Sequence, residues 1–306
     1  MMAKQTAFQY EPEILSQISS LKIQAVNLVD GLLSGQHRSR HKGSSVEFAE
    51  YKDYSQGDDI RHIDWKVVGK TDKYHVKQFE QSTNLKSAIM LDASGSMRYE
   101  RPNSDRQGLN KLDYARTLAA ALSYLLLKQF DAVGLTLFND KLTQHLPPRS
   151  KPSHFQQILH CLETAQFDGI THFQKVVEEL IERISGRGML IFISDLLSKD
   201  DNIYKTLKLI RSRGLEVMLF HILDPDEVSL PFEGDIIFES LEDDPEIGLD
   251  PTEISTQYQK VISEQIEFYK KNCPAIGVDY MFMETSTPLE QALKYFLLRR
   301  KSLRKL

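Results

Sequence analysis

The chain is predicted to be an α/β protein with a mostly parallel central sheet flanked by helices, and three observations carry that prediction. From Lys86 onward, apolar runs of strand length alternate with amphipathic stretches of helix length, the pattern of successive βα units. Runs such as Ala132 to Phe138 and Met189 to Ile193 are almost continuously apolar, as strands covered on both faces are. Oxygen-bearing side chains fall where the runs end, at Asp92, Ser94, Ser96 and Asp195. Open parallel sheets bind their ligands beyond the carboxyl ends of the strands.

Composition narrows the function classes. A chain of 306 residues, 41% hydrophobic and 26% charged, has the makeup of a globular protein with one large core or two modest ones. Its net charge of -5 argues against general affinity for nucleic acid, which needs a surplus of cations. Cys161 and Cys273 lie far apart without metal-ligand spacing and read as buried free thiols in a reducing compartment. No apolar run approaches the ~20 residues of a membrane span, and Met1 to Tyr10 lacks a signal-peptide core. The expected location is the cytoplasm.

In chain order, Pro12 to Leu32 reads as an amphipathic helix with Leu15, Ile18, Leu21, Ala25, Leu28 and Leu32 on one face and Gly35 as its stop. A basic loop, His37 to Lys42, follows. Ser45 to Tyr51 and Tyr74 to Phe79 suit strands. Between them Asp58, Asp59, Arg61, His62 and Asp64 crowd around the only Trp, Trp65, as a salt-bridged turn or an acidic cluster. Residues 1-85 are therefore expected to be a helix and a β-rich segment packed on a main domain of 86-306.

In the main domain Ser87 to Leu91 is the first strand, and a polar segment from Arg98 to Asn110 leads to a helix from Leu112 to Phe130. Ala132 to Phe138 is a strand, and Leu142 to Leu146 is a short edge strand ended by Pro147-Pro148. Ser153 is expected to cap a helix, and Thr171 to open another. Met189 to Ile193 and Leu215 to Ile222 are strands around a helix, Asp201 to Arg213, that Gly214 stops. An acidic loop, Glu239 to Asp250, precedes a helix from Pro251 to Asn272, a strand from Val278 to Met283 and a helix from Pro288 to Arg299.

The run Leu91-Asp92-Ala93-Ser94-Gly95-Ser96-Met97 puts one carboxylate and two hydroxyls within reach of a common point. By itself it suits either a hard-cation site or a strand-to-helix turn with a Ser cap. Thr171 and Asp195, expected at the same sheet rim, favour the cation site. A phosphohydrolase is the competing class. The aspartate-nucleophile pattern wants a second Asp at the place of Ser94, and no motif positions a Lys. The Gly of a nucleophile elbow is missing before Ser94. Neither a P-loop nor Gly-x-Gly-x-x-Gly follows any strand.

Asp-x-Ser-x-Ser, a later Thr and a later Asp, in this order on a βα scaffold, resemble the metal-ion-dependent adhesion site of von Willebrand factor A domains. Tyr54, Gly57-Asp58-Asp59, Arg61 and Ile63-Asp64-Trp65 resemble one bacterial branch, the family called domain of unknown function 58. That likeness continues to His221-Ile222-Leu223-Asp224-Pro225 and Tyr280; Gly69-Lys70 departs from the family's usual Ala-Arg. The resemblance implies a von Willebrand factor A-like, Rossmann-like sheet and a six-coordinate Mg2+ or Mn2+. Ser94 and Ser96 would bind it directly, Thr171 directly or through water, and Asp92 and Asp195 would orient bound waters. It further implies an open position for a partner's Glu or Asp. The family association makes the implied partner a MoxR-type AAA+ ATPase, served by a non-enzymatic adaptor or chaperone-like protein. Tyr54, Gly57, Asp58, Asp59, Arg61, Asp64 and Trp65 would support the fold or share the partner surface.

Overall fold

Continuously apolar segments become the central strands because only a strand covered on both faces can use such a side-chain pattern. The computed structural model describes residues 20–37, 48–53, 75–79, 86–101, 109–183, 188–197, 202–234, 236–242 and 246–303. They fall in two units, Leu33–Asn84 on one hand and Met1–Leu32 with Leu85–Leu306 on the other. The smaller unit contains β1 (Phe48–Asp53) and β2 (His75–Phe79), an antiparallel pair with an irregularity between Phe48 and Tyr51.

The larger unit is built on six strands: β3 (Lys86–Asp92), β4 (Ala132–Phe138), β5 (Leu142–Arg149), β6 (Gly188–Ser194), β7 (Glu216–Leu223) and, last in sequence, β10 (Val278–Glu284). Their order is β10-β7-β6-β3-β4-β5, all parallel except β5, which runs antiparallel along β4. The chain lays β4 and β5 on one side of β3 and then returns to place β6 on the other. The switch point therefore lies between the ends of β3 and β6, where a ligand crevice is expected.

Helices cover both faces. On one, α2 (Lys111–Lys128) packs with α3 (His154–Thr164), and later with α8 (Leu289–Leu303). The Asn110 side chain caps α2 by accepting from the Asp113 N–H at 2.7 Å. Leu118, Leu122, Leu125 and Leu126 are all fully buried along α2, each worth about 1.5–3 kcal/mol of burial. The first helix, α1 (Ser20–His37), buries Leu21, Ala25, Val29 and Leu32 at helical spacing. It is tied to α2 by Gln24–Thr117 and Asp30–Lys128 bonds of 3.2 and 2.6 Å. On the opposite face α4 (Phe173–Arg183), α5 (Ile203–Ser212) and α7 (Pro251–Ala275) bury Phe173, Val177, Leu207, Ile210, Tyr269 and Cys273 in a core shared with β3, β6, β7 and β10.

Several expectations are corrected. Helix α1 runs through Gly35 to His37, so that glycine sits in the last turn; residues 12–19 lie outside the described residues. Strand β5 continues through Pro147 and Pro148 to Arg149, because an edge strand can leave one row of backbone groups without ladder partners. Its register against β4 shifts between Val133 and Leu135. There Gly134 lets the backbone close in: a Cβ at that position would stand 2.6 Å from the Leu146 carbonyl oxygen. Ser153 is itself helical and makes no side-chain cap. The region read as an acidic loop, Glu239 to Asp250, contains β9 (Glu246–Leu249), which pairs antiparallel with β8 (Ile236–Glu239) at its start, and a short helix α6 (Pro225–Ser229) precedes both. Among the described residues no helix is long and apolar enough to cross a membrane. Both cysteines are free and buried, and burial pushes the Cys161 thiol up to about 11 and that of Cys273 up to about 12.

Candidate metal centre

The carboxyl ends of β3 and β6, with the loop entering α4, bring Asp92, Ser94, Ser96, Thr171 and Asp195 to one rim. Asp92, the last residue of β3, is 1% exposed and accepts three hydrogen bonds. Its Oδ1 takes the Ser94 N–H at 3.0 Å and the Thr171 hydroxyl at 2.9 Å, and its Oδ2 takes the Ser194 hydroxyl at 2.6 Å. Thr171 stands two residues before the helix that begins at Phe173 and donates its hydroxyl proton to Asp92. Ser94 Oγ and Ser96 Oγ lie 3.0 Å apart at the start of the 3-10 turn Gly95–Arg98.

Backbone bonds hold the loops in place. Ala93 N–H donates to Phe138 O at 2.7 Å, Asp168 N–H to Ala93 O at 2.9 Å, and Gly95 N–H to Gly169 O at 2.9 Å. Gly95 is required by crowding, since a Cβ there would stand 1.8 Å from the Leu241 carbonyl oxygen. Past β6, Leu196 has φ 54°, a left-handed conformation costing a β-carbon residue about 1–2 kcal/mol. The turn it makes lets Ser194 Oγ accept the Leu196 N–H at 3.0 Å and Asp195 Oδ1 accept the Leu197 N–H at 3.1 Å.

The rim has a second layer that sequence reasoning did not assign. Lys111, the first residue of α2, is fully buried and donates to Asp195 Oδ2 at 2.8 Å and Glu227 Oε1 at 2.6 Å. Glu227 completes the capping box of α6, its Oε2 accepting the Asp224 N–H at 2.8 Å. Asp224 in turn accepts from Arg101 Nε and Thr285 Oγ1, each at 2.8 Å. A signal existed: Lys111 shares the helix face of Ala115, Leu118 and Leu122, where a charge demands a buried partner.

Electrostatics separates the two aspartates. Burial, reinforced by the charge of Asp195, pushes Asp92 up to about 6. Asp195 is equally buried, but the Lys111 ammonium and a Ser96 hydrogen bond hold it below the usual carboxylate range. Burial raises Glu227 although Lys111 opposes it. Burial pushes His221, on the neighbouring strand β7, down to about 4, and its Nδ1 pairs with the Tyr280 hydroxyl at 2.8 Å.

The donor set fits a hard divalent ion. Oxygens in adjacent octahedral positions around Mg2+ stand about 2.9 Å apart, given bonds of ~2.0–2.1 Å. Ser94 Oγ and Ser96 Oγ, hydrogen-bonded to each other at 3.0 Å, already stand near that spacing. The Thr171 hydroxyl donates its proton to Asp92, which turns the oxygen's electron-rich side away from that carboxylate. No group of three or more His, Cys, Asp or Glu able to hold a metal exists among the described residues, so any site here is built mainly on hydroxyls. Tyr54, Gly57, Asp58, Asp59, Arg61, Asp64 and Trp65 lie outside the described residues.

Comparison with known proteins adds the following. A family model described as "Protein of unknown function DUF58" matches residues 50–267. The chain is 27% identical over 235 residues to the uncharacterized protein Rv1480 of Mycobacterium tuberculosis, spanning 76% of this chain and 72% of that one. It is similar to the crystal structure of BatB from Bacteroides thetaiotaomicron, at 18% identity and TM-score 0.45 over 71% of this chain and 99% of the other. It is also similar to the VWA domain of SpRpn10, at 12% identity and TM-score 0.39 over 68% and 93%.

Proposed function

The chain belongs to the family described as Protein of unknown function DUF58, and from that premise we propose a non-enzymatic, metal-dependent protein-interaction module. Ser94, Ser96 and Thr171 would hold Mg2+ or Mn2+, with Asp92 and Asp195 orienting its waters. The observation that carries this reading is the Ser94–Ser96 hydroxyl pair, hydrogen-bonded to each other at 3.0 Å, next to a carboxylate that accepts the Thr171 hydroxyl's hydrogen bond. When bound, the ion supplies an electrophile at the rim. Neutral hydroxyl donors compensate little of its charge, so a carboxylate from a partner's Glu or Asp gains more there than at an all-carboxylate site. By family association the partner is a MoxR-type AAA+ ATPase and the setting the cytoplasm, with this chain as adaptor or chaperone-like subunit.

One observation favours a Mg2+-dependent phosphohydrolase: a buried Lys does stand beside Asp195. Its environment weakens that reading. Lys111 is enclosed and bonded to two acids, and Asp92 is 1% exposed with both oxygens accepting hydrogen bonds. An ammonium shielded from solvent cannot meet a phosphate, and a carboxylate so engaged is a poor nucleophile.

The test is capture of the purified MoxR-type ATPase from the same genome. Binding is expected in Mg2+, with release by EDTA and loss in Ser94→Ala; equal binding by native, chelated and Ser94→Ala protein overturns the proposal. Phosphatase turnover that vanishes in Asp92→Ala would establish the other reading.

A further inference from the structure

A lysine at the first position of a helix ordinarily reaches solvent, yet Lys111 is 0% exposed. Enclosing an ammonium costs several kcal/mol unless it is paired and hydrogen-bonded. Asp195 at 2.8 Å and Glu227 at 2.6 Å meet that requirement, and they keep Lys111 charged against the effect of burial.

The pairing has a consequence at the rim. Both oxygens of Asp195 are engaged, Oδ2 by Lys111 and Oδ1 by the Leu197 N–H. Lys111 thus offsets Asp195 directly, although with Glu227 ionised the three groups together still carry one net negative charge. Asp92 differs, because its hydrogen bonds come from neutral donors, the Ser94 amide and the Thr171 and Ser194 hydroxyls. A divalent ion among Ser94, Ser96 and Thr171 would therefore meet Asp92 as a carboxylate with neutral donors only, and Asp195 as one already paired with an ammonium.

We infer that Lys111 is a built-in counter-charge to Asp195, so that the centre binds a divalent ion weakly by itself and firmly only when a carboxylate from outside completes it. The inference rests on the metal reading above and deepens it. Because coupling between two ligands is reciprocal, the same lysine makes acid binding depend on the ion. Lys111 acts here as a positioning residue, through Asp195 and not through contact with the ion.

The test follows loss of the free Mn2+ paramagnetic-resonance signal as the full chain is titrated, in acetate and in chloride of equal ionic strength. Acetate should tighten Mn2+ binding to the native chain by about tenfold, within the usual range of coupling between sites. The double variant Lys111→Met with Glu227→Gln keeps the net charge and removes the ammonium from beside Asp195, so that the remaining negative charge lies on Asp195. It should bind Mn2+ about tenfold more tightly in chloride and respond little to acetate. Near-UV circular dichroism reports whether the double variant keeps its packing. The native chain alone also decides: tight Mn2+ binding that is indifferent to acetate overturns the role of Lys111 while leaving the metal reading standing. No Mn2+ bound by either protein under any condition overturns both.

Discussion

Two buried ion pairs stand at opposite ends of the same sheet. Lys111–Asp195, extended by Glu227, lies at the carboxyl ends of the parallel strands, whereas Arg300–Asp131 joins α8 to the residue just before β4. Both are shielded, with Arg300 and Asp131 side chains 5% and 1% exposed. The first sits among hydroxyls, those of Ser96 and, through Asp92, of Thr171 and Ser194. A buried salt bridge is therefore no mark of function by itself; what distinguishes the rim is the cluster of hydroxyl oxygens gathered beside it.

The largest effect is expected at the other end. Arg300→Met removes the guanidinium paired with buried Asp131, which should cost about 3–5 kcal/mol in urea unfolding while Mn2+ affinity stays native. A fall in Mn2+ affinity there would erase the contrast between the two pairs. Gly95→Ala should lose about 1–3 kcal/mol, because its Cβ would collide with the Leu241 carbonyl oxygen, and should weaken Mn2+ binding as the Ser96 turn shifts. Native stability with native affinity would show that the turn has slack.

Acidity distinguishes the regions further. Asp92, raised from 3.8 to about 6, stabilises the metal-free protein fully below its unfolded value and loses that contribution as pH rises through about 6. His221, lowered from 6.5 to about 4, acts oppositely, contributing above 6.5 and losing it as pH falls toward 4. A divalent ion favours ionised Asp92 and leaves His221 in the same surroundings. The increase in melting temperature caused by Mg2+ should therefore grow from pH 5 to pH 7 and level off above, with affinity falling about tenfold per pH unit below 6. An increase equal at both pH values would contradict the role given to Asp92. The smallest effects come from paired hydroxyls: Thr171→Val and Ser194→Ala should each cost about 1 kcal/mol, but only Thr171→Val should weaken Mn2+ binding. Equal weakening would make Ser194 a ligand too.

The parallel strands were legible because burial on both faces leaves an unbroken apolar run, and Ala132 to Phe138 was bounded without error for that reason. Asp92 and Asp195 were legible because such runs end in them. The β8–β9 pair was hidden, since its strands span four residues each among acids and prolines, too short for alternation to stand out. Lys111 was hidden for a different reason. Its partners, Asp195 and Glu227, lie 84 and 116 residues away, and only the crossover of β6 and β7 brings them to the start of α2.

Diffraction from crystals grown in Mn2+, with anomalous differences collected above and below the Mn absorption edge, tests the central claim most directly. The account predicts one anomalous peak about 2.0–2.2 Å from both Ser94 Oγ and Ser96 Oγ, absent from Ser94→Ala crystals. A native map with no peak at that rim, or with Mn2+ bound only elsewhere, would contradict it.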